Sequence, residues 1–278
     1  MDTLSHLLKH RGADIGLILV LFFVVLAIFG PWIAPQDPYD QLLTARLNPP
    51  DASHWFGTDG YGRDILSRII HGAHISLMIG AFSVVLGLGF GFILGLVAGY
   101  ERGVVDEIIM RAMDIMIAFP GILLAIVVIA VLGPGLYNVV FAVGIWSIPI
   151  FARLIRSSVL EIREQEFILA SQAIGCSDLR IMLRHIVPNC IGPLLVLGTL
   201  RFATSILSAA GLSFLGLGAQ PPTPDWGAML SDGQKYLAVA WWVATFPGIA
   251  IMLIVLAFNL IGDGLRDVLD PRMRKGKT

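Results

Sequence analysis

A run of 38 residues, Ile115 to Ala152, contains no Asp, Glu, Lys or Arg. As a single helix it would be about 57 Å long at 1.5 Å per residue, nearly twice the hydrocarbon core of a bilayer. The run has to fold back on itself. Gly133-Pro134-Gly135 supplies the break, because proline removes a backbone donor and glycine tolerates turn dihedrals. Two spans result, near 114–132 and 136–152.

The rest of the chain follows the same logic, since a charge at mid-bilayer costs at least about 2.5 kcal/mol. Between Asp14 and Asp37 lie 22 uncharged residues, and between His74 and Glu101 lie 26, enough for one span each. A further stretch begins near Cys190, contains Arg201 and is stopped by Pro221-Pro222-Thr223-Pro224; the last runs from Tyr236 to Gly262. The reading is an all-α membrane protein with six transmembrane helices. With 56% hydrophobic and 14% charged residues, the composition lies far from the quarter charged of a soluble domain. A net charge of −1 argues against a nucleic-acid binder. Cys176 and Cys190 form neither a disulfide framework nor a zinc spacing and read as ordinary thiols.

Orientation follows from the basic residues. With the N-terminus inside, fourteen fall on the cytoplasmic side: Lys9, Arg11, Arg102, Arg111, Arg153, Arg156, Arg163, Arg180, Arg184, Arg266, Arg272, Arg274, Lys275 and Lys277. Four, Arg46, Arg63, Arg68 and Lys235, fall outside, and Arg201 lies within a span. This bias places both termini in the cytoplasm. The first apolar run is long enough for a span and ends at Pro31-Trp32-Ile33-Ala34-Pro35, which reads as an interfacial exit rather than a cleaved leader.

Three local patterns carry the chemistry. Gly87, Gly91, Gly95 and Gly99 recur every four residues, a stripe that lets helix backbones approach closely in lipid. Thr204, Ser205 and Ser208 stand at i+3, i+4 and i+7 from Arg201, and the four are expected to share one polar helix face turned toward the bundle interior or a water-filled path. There Arg201 either pairs for structural reasons with a carboxylate or with backbone carbonyls, or meets a carboxylate passing along the path. The internal segment 153–188 is far longer than a turn needs. It reads as helix, Gly175 C-cap, Ser177 N-cap and a second helix ended by Pro188, together a knob projecting into the cytoplasm or an amphipathic hairpin on the headgroups. Outside, residues 36–73 carry turn chemistry followed by a short amphipathic stretch around Ile65, Leu66, Ile69 and Ile70, and the 213–240 segment holds the proline cluster. His71 and His74 stand at i, i+3 without a carboxylate or thiol nearby in sequence, so they read as interfacial histidines and no metal is expected.

Leu169-Ala170-Ser171, Gly175 and Pro188 resemble the Glu-Ala-Ala, Gly and Pro positions of the signature of permease subunits of ATP-binding-cassette (ABC) importers, with Leu169 in place of the glutamate and His185 and Val187 in place of its Ile and Leu. Gly57-Thr58-Asp59, Gly62-Arg63-Asp64, Ser67-Arg68, the Ala219–Gly227 stretch and the Phe258–Asp267 stretch are similar to motifs of the C-type permease in the dipeptide, oligopeptide, nickel and glutathione importer branch. The resemblance implies a type I permease fold. A first transmembrane helix and external loop (1–73) would precede a five-helix core (74–278) carrying the coupling loop. It implies a second permease in a heterodimer, an external solute-binding protein, and two cytoplasmic ATP-binding subunits that hold ATP and Mg and grip Ala170, Ser171, Gly175 and Pro188. The chain itself would bind no cofactor and catalyse nothing, and would sit in a bacterial inner membrane. The cargo would be peptides or glutathione, with nickel or opine-like solutes as the alternative. Independently, the terminal Gly276-Lys277-Thr278 cannot end a phosphate-binding loop, because Pro271 stands where its first glycine would be. An ion-coupled secondary transporter would display more ionisable groups within its spans than this chain does.

Overall fold

The computed structural model describes residues 11–269, and they form helices and connecting turns. Lys9, Arg272, Arg274, Lys275, Lys277 and the terminal Gly-Lys-Thr lie outside the described residues. Five helices are long and apolar enough to cross a membrane, and a bent pair counted as one span makes six.

Helix α1 (Arg11–Ile33) is apolar on nearly every face, and Ile18, Leu21, Phe22, Ile28 and Trp32 stand exposed, as expected of a helix whose solvent is lipid. The helix runs through Pro31 rather than ending there. It packs on its small residues: Gly16 lies against Ala257 and Leu260, and Gly30 against Ile70.

Helix α2 (Ile65–Glu101) has 37 residues, roughly 55 Å at the standard rise. The stretch expected to form a short interfacial helix is its first turns, because nothing between residues 65 and 101 removes a backbone donor; residue 73, the sequence-based domain boundary, lies inside it. Asp64 caps it, its carboxylate accepting from the Ser67 N–H at 2.8 Å and from the Ser67 hydroxyl at 2.8 Å.

The span expected over 114–132 is instead two helices, α3 (Gly103–Ala118) and α4 (Gly121–Leu132), meeting at 93°. Pro120 is the cause. The residue before a proline is driven out of the helical region, and Phe119 is extended at ψ 134°. The expected break at Gly133-Pro134-Gly135 is present, and the Asn138 side chain closes it by donating to the Leu132 and Gly133 carbonyls at 3.0 and 2.9 Å.

Helix α5 (Leu136–Arg163) continues beyond Ala152, carrying its polar last turns Arg153 to Arg163. The short helices α6 (Glu166–Ala173) and α7 (Asp178–Ile181) follow, and α7 runs through a π-helical turn, Met182–Ile186, into α8 (Val187–Phe214). Pro188 therefore does not end a helix. It sits in the first turn of α8, just after the widened turn that separates its ring from the carbonyls a regular helix would press against it. Helix α9 (Trp226–Gln234) is capped by Asp225, and α10 (Trp242–Leu269) starts six residues later than Tyr236 and outlasts Gly262, because Tyr236 to Trp241 fold as turns.

The glycine stripe sets the most extensive helix contact. A Cβ on Gly91 would lie 2.6 Å from the Phe151 Cβ and 2.7 Å from the Ile148 carbonyl; on Gly87, 2.7 Å from the Ser147 Cβ; on Gly99, 2.8 Å from the Val159 Cβ. Gly95 meets the Ala152 carbonyl in the same way. All four pack on α5 of the same chain. Gly89, on the other side of α2, has nothing within 4 Å of its Cβ position. Gly91→Ala is thus expected to lose about 1–3 kcal/mol through overpacking, whereas Gly89→Ala should be neutral or slightly stabilising. Thermal unfolding of the two purified variants in lipid nanodiscs compares them; equal midpoints would contradict the packing role.

Candidate coupling knob, polar helix face and platform

One end of the bundle carries the knob. Helix α6 terminates in a doubly bonded turn: the Gly175 N–H donates to the Gln172 carbonyl at 2.9 Å and the Cys176 N–H to the Ser171 carbonyl at 3.1 Å, with Gly175 at φ +81°. This is the Schellman arrangement, in which a left-handed residue satisfies the last carbonyls of a helix. The Ser171 hydroxyl is spent on its own helix, donating to the Phe167 carbonyl at 2.7 Å, and Ser177 holds the N-cap position of α7 without a side-chain capping bond. Ile168, Ile181 and Ile186 anchor the knob in the core. Phe167, Leu169, Leu179 and Leu183 are exposed, and Ile174 is 81% exposed at the tip. Ala170, Gly175 and Pro188 are exposed too. The capped turn thus displays a set of apolar side chains.

The polar face of α8 is split. Ser205 is buried, with no partner for its hydroxyl, while Thr204 is exposed and donates to its own helix, to the Arg201 carbonyl at 3.0 Å. Arg201 and Ser208 lie on the boundary between them, half-buried. The four residues therefore do not look onto one surface as the spacing implied. The Arg201 guanidinium has no hydrogen bond or ion pair among the described residues. On the knob half of the same helix, a trough of about 810 Å³ between α5, α8 and α10 is lined by Ser158, Glu161, Asn189, Leu200 and Arg266 among others.

At the opposite end, residues 34–64 and 215–241 join in one layer, here called the platform. Trp226 Nε1 donates to the Ile69 carbonyl at 3.0 Å, Trp242 Nε1 to the Thr58 carbonyl at 3.3 Å, and Arg68 to the carbonyls of Pro38 at 3.0 Å and Pro222 at 3.3 Å. Its centre is ionic: Asp59 Oδ2 accepts from Arg63 Nε at 2.7 Å and lies 3.7 Å from Arg68 Nε, all three side chains being buried. His54 Nδ1 lies 3.0 Å from Asp64 Oδ1. Burial pushes the Asp225 carboxyl above the usual carboxylate range, opposed by the N–H of Ala228 and the Ser213 hydroxyl donating to it. His71 is held by its own helix, Nδ1 lying 2.9 Å from the Ser67 carbonyl. This ionic centre is what sequence spacing misses. Asp59 and Arg63 stand at i, i+4, but Arg68 joins them only because the start of α2 is folded into the platform.

Residues 91–275 match the family described as the binding-protein-dependent transport system inner membrane component. The chain belongs to this family. Residues 1–50 also match the N-terminal transmembrane domain of oligopeptide transport permease C. Among relatives of this permease are the dipeptide transport system permease protein DppC of Alkalihalophilus pseudofirmus, 50% identical over 98% of this chain and 90% of that protein, and the di/tripeptide transport system permease protein DppC of Pseudomonas aeruginosa, 48% identical over 95% and 89%. The glutathione transport system permease protein GsiD of Escherichia coli is 53% identical over 96% of this chain and 88% of that one. In structure the permease is similar to a chain of the inward-facing MetNI methionine ABC transporter, with a TM-score of 0.59 and 19% identity over 72% of this chain and 95% of that one. The fold is that of an ABC importer permease, and the spans belong to an inner-membrane protein.

Proposed function

We propose that this permease carries di- or oligopeptides, or glutathione, into the cell as one half of a heterodimeric channel. The observation that carries the reading is the 48–53% identity, over nearly the whole chain, to permeases named for dipeptide, di/tripeptide and glutathione transport. That naming favours peptides over nickel or opine-like solutes. The knob meets one of two cytoplasmic ATP-binding subunits, which hold ATP and Mg; Ala170, Ser171 and Gly175 shape its tip, and Pro188 follows the widened turn behind it. The platform faces outward and receives the solute-binding protein. Binding energy at both ends shifts the helices between two orientations. Arg201, half-buried and unpaired within the described residues, is the charge available to a solute carboxylate. Ser208, half-buried on the same boundary, supplies a neighbouring hydroxyl, with Thr204 and buried Ser205 flanking it on either side.

Uptake of labelled alanyl-alanine into cells expressing the complete importer tests the cargo. Unlabelled alanyl-alanine and glutathione should compete, and the C-terminal amide of alanyl-alanine should compete far less. Uptake of nickel but not of alanyl-alanine by the same cells would contradict the reading.

Orientation has its own test. Both Ala52 and Ser177 are exposed, whereas Asp59 and Asp225 are buried and would not report. In a background with Cys176→Ser, Ala52→Cys is expected to react with an impermeant thiol reagent in intact cells, and Ser177→Cys only after permeabilisation. Labelling of Ser177→Cys in intact cells would invert the topology and remove the knob from any ATPase.

A further inference from the structure

Besides its apolar anchors, the knob is tied to the transmembrane helices at Tyr100. Tyr100, in the last turn of α2, is buried, and its hydroxyl donates to Asp178 Oδ1 at 2.5 Å. Asp178 is the first residue of α7, on the far side of the knob turn. The carbonyl of Tyr100 accepts from Arg163 Nη1, and the Arg163 guanidinium carbon lies 5.1 Å from the Tyr100 ring centroid. Arg163 is the last residue of α5. The ends of α2 and α5 and the start of α7 thus converge on Tyr100, and the ring itself packs in the cluster that holds Ile168, Ile181 and Ile186.

The two kinds of contact differ in what they resist. Apolar side chains hold the knob against the bundle but are non-directional, so they allow it to roll. A hydrogen bond to a carboxylate is directional and roughly twice as strong as a neutral one. It fixes the angle of α7 relative to α2. A push on the exposed tip at Ile174 and Leu179 would then be passed to the long helices instead of being absorbed as a tilt of the knob.

We propose that Tyr100 is a positioning residue for transport, its hydroxyl bond to Asp178 making the knob and the transmembrane helices move as one body. The inference rests on the proposed contact between the knob and an ATP-binding subunit.

The test uses the complete importer in proteoliposomes and reads alanyl-alanine transported per ATP hydrolysed. Tyr100→Phe keeps the ring and its contact with Arg163 but removes the donor. It should assemble and hydrolyse ATP, and the transport ratio should fall about tenfold or more. Asp178→Asn, which retains an acceptor oxygen, should stay within about twofold of the unaltered protein, and Asp178→Leu should behave like Tyr100→Phe. An unchanged ratio in Tyr100→Phe overturns the proposal. So does an unchanged ratio in Asp178→Leu, which would mean that the hydroxyl acts without this acceptor, or a failure of Tyr100→Phe to assemble, which would make the role structural. Cross-linking of Ser177→Cys to an ATP-binding subunit, in the Cys176→Ser background, separates the two levels. Its absence removes the underlying contact, whereas a cross-link together with an unchanged Tyr100→Phe ratio removes this inference alone.

Discussion

Replacing Asp59 with alanine is expected to destabilise the platform by about 3–5 kcal/mol, the cost of leaving buried charge without its counterion. The carboxylate lies between two buried guanidiniums, those of Arg63 and Arg68, and also accepts the backbone N–H groups of Tyr61 at 2.8 Å and Arg63 at 3.0 Å. Arg68 already has a buried Nε without a hydrogen bond, so the site has no spare acceptor to offer. Asp51 is the matched comparison: it too accepts neighbouring N–H groups, from Ser53 and His54 at 2.7 Å each, but it is exposed. Those bonds hold its carboxyl below the usual range without any buried charge to strand. Thermal unfolding of both variants in nanodiscs should show a large loss for Asp59→Ala and a small one for Asp51→Ala. Similar small losses would mean that the Arg63 and Arg68 charges are stabilised by other groups.

The second large effect is on transport. Gly175→Val should abolish uptake while leaving the protein inserted and folded. The position has φ +81°, where a Cβ costs about 1–2 kcal/mol and a branched one more, yet nothing lies within 4 Å to clash with it. The strain therefore acts on the Schellman turn itself, reorienting Ile174 and the start of α7, and not on the core. Gly175→Asn, whose side chain tolerates the left-handed region, should retain much of the uptake. Uptake by Gly175→Val equal to that of the unaltered protein would show that the shape of the turn does not matter to coupling.

The long spans are legible in the sequence because exclusion of charge from the bilayer interior is a strong, one-dimensional constraint. That the charge-free run folds back follows from its length, and Gly133-Pro134-Gly135 marks where. Pro120 is less visible. It lies inside a charge-free run, where a proline can be tolerated, and the close approach at the break, Gly121 against the Trp146 ring, is a contact across to α5. Pro188 misleads in the opposite direction: a π-helical turn, which leaves no compositional trace, carries the helix through it. The amphipathic start of α2 reads as a separate interfacial helix because Arg63, Asp64 and Arg68 look like solvent-facing charge. In the structure all three are buried, and Arg68 donates to the Pro222 carbonyl, 154 residues away in the chain. The knob reads well because its devices, a left-handed glycine and flanking short helices, are local. The polar face around Arg201 reads poorly because periodicity gives an angle on a helix, whereas burial of Ser205 and exposure of Thr204 depend on which neighbours flank that angle. The bond from Tyr100 to Asp178 joins residues 78 positions apart and has no sequence signature.

The most direct measurement of the central claim is solute accumulation in proteoliposomes that contain this permease, its partner permease and the two ATP-binding subunits, with the solute-binding protein outside and ATP sealed inside. The account predicts that labelled alanyl-alanine accumulates only when ATP and the solute-binding protein are both present, and that a non-hydrolysable nucleotide does not sustain it. Accumulation by this chain alone, driven by an ion gradient without nucleotide, would contradict it.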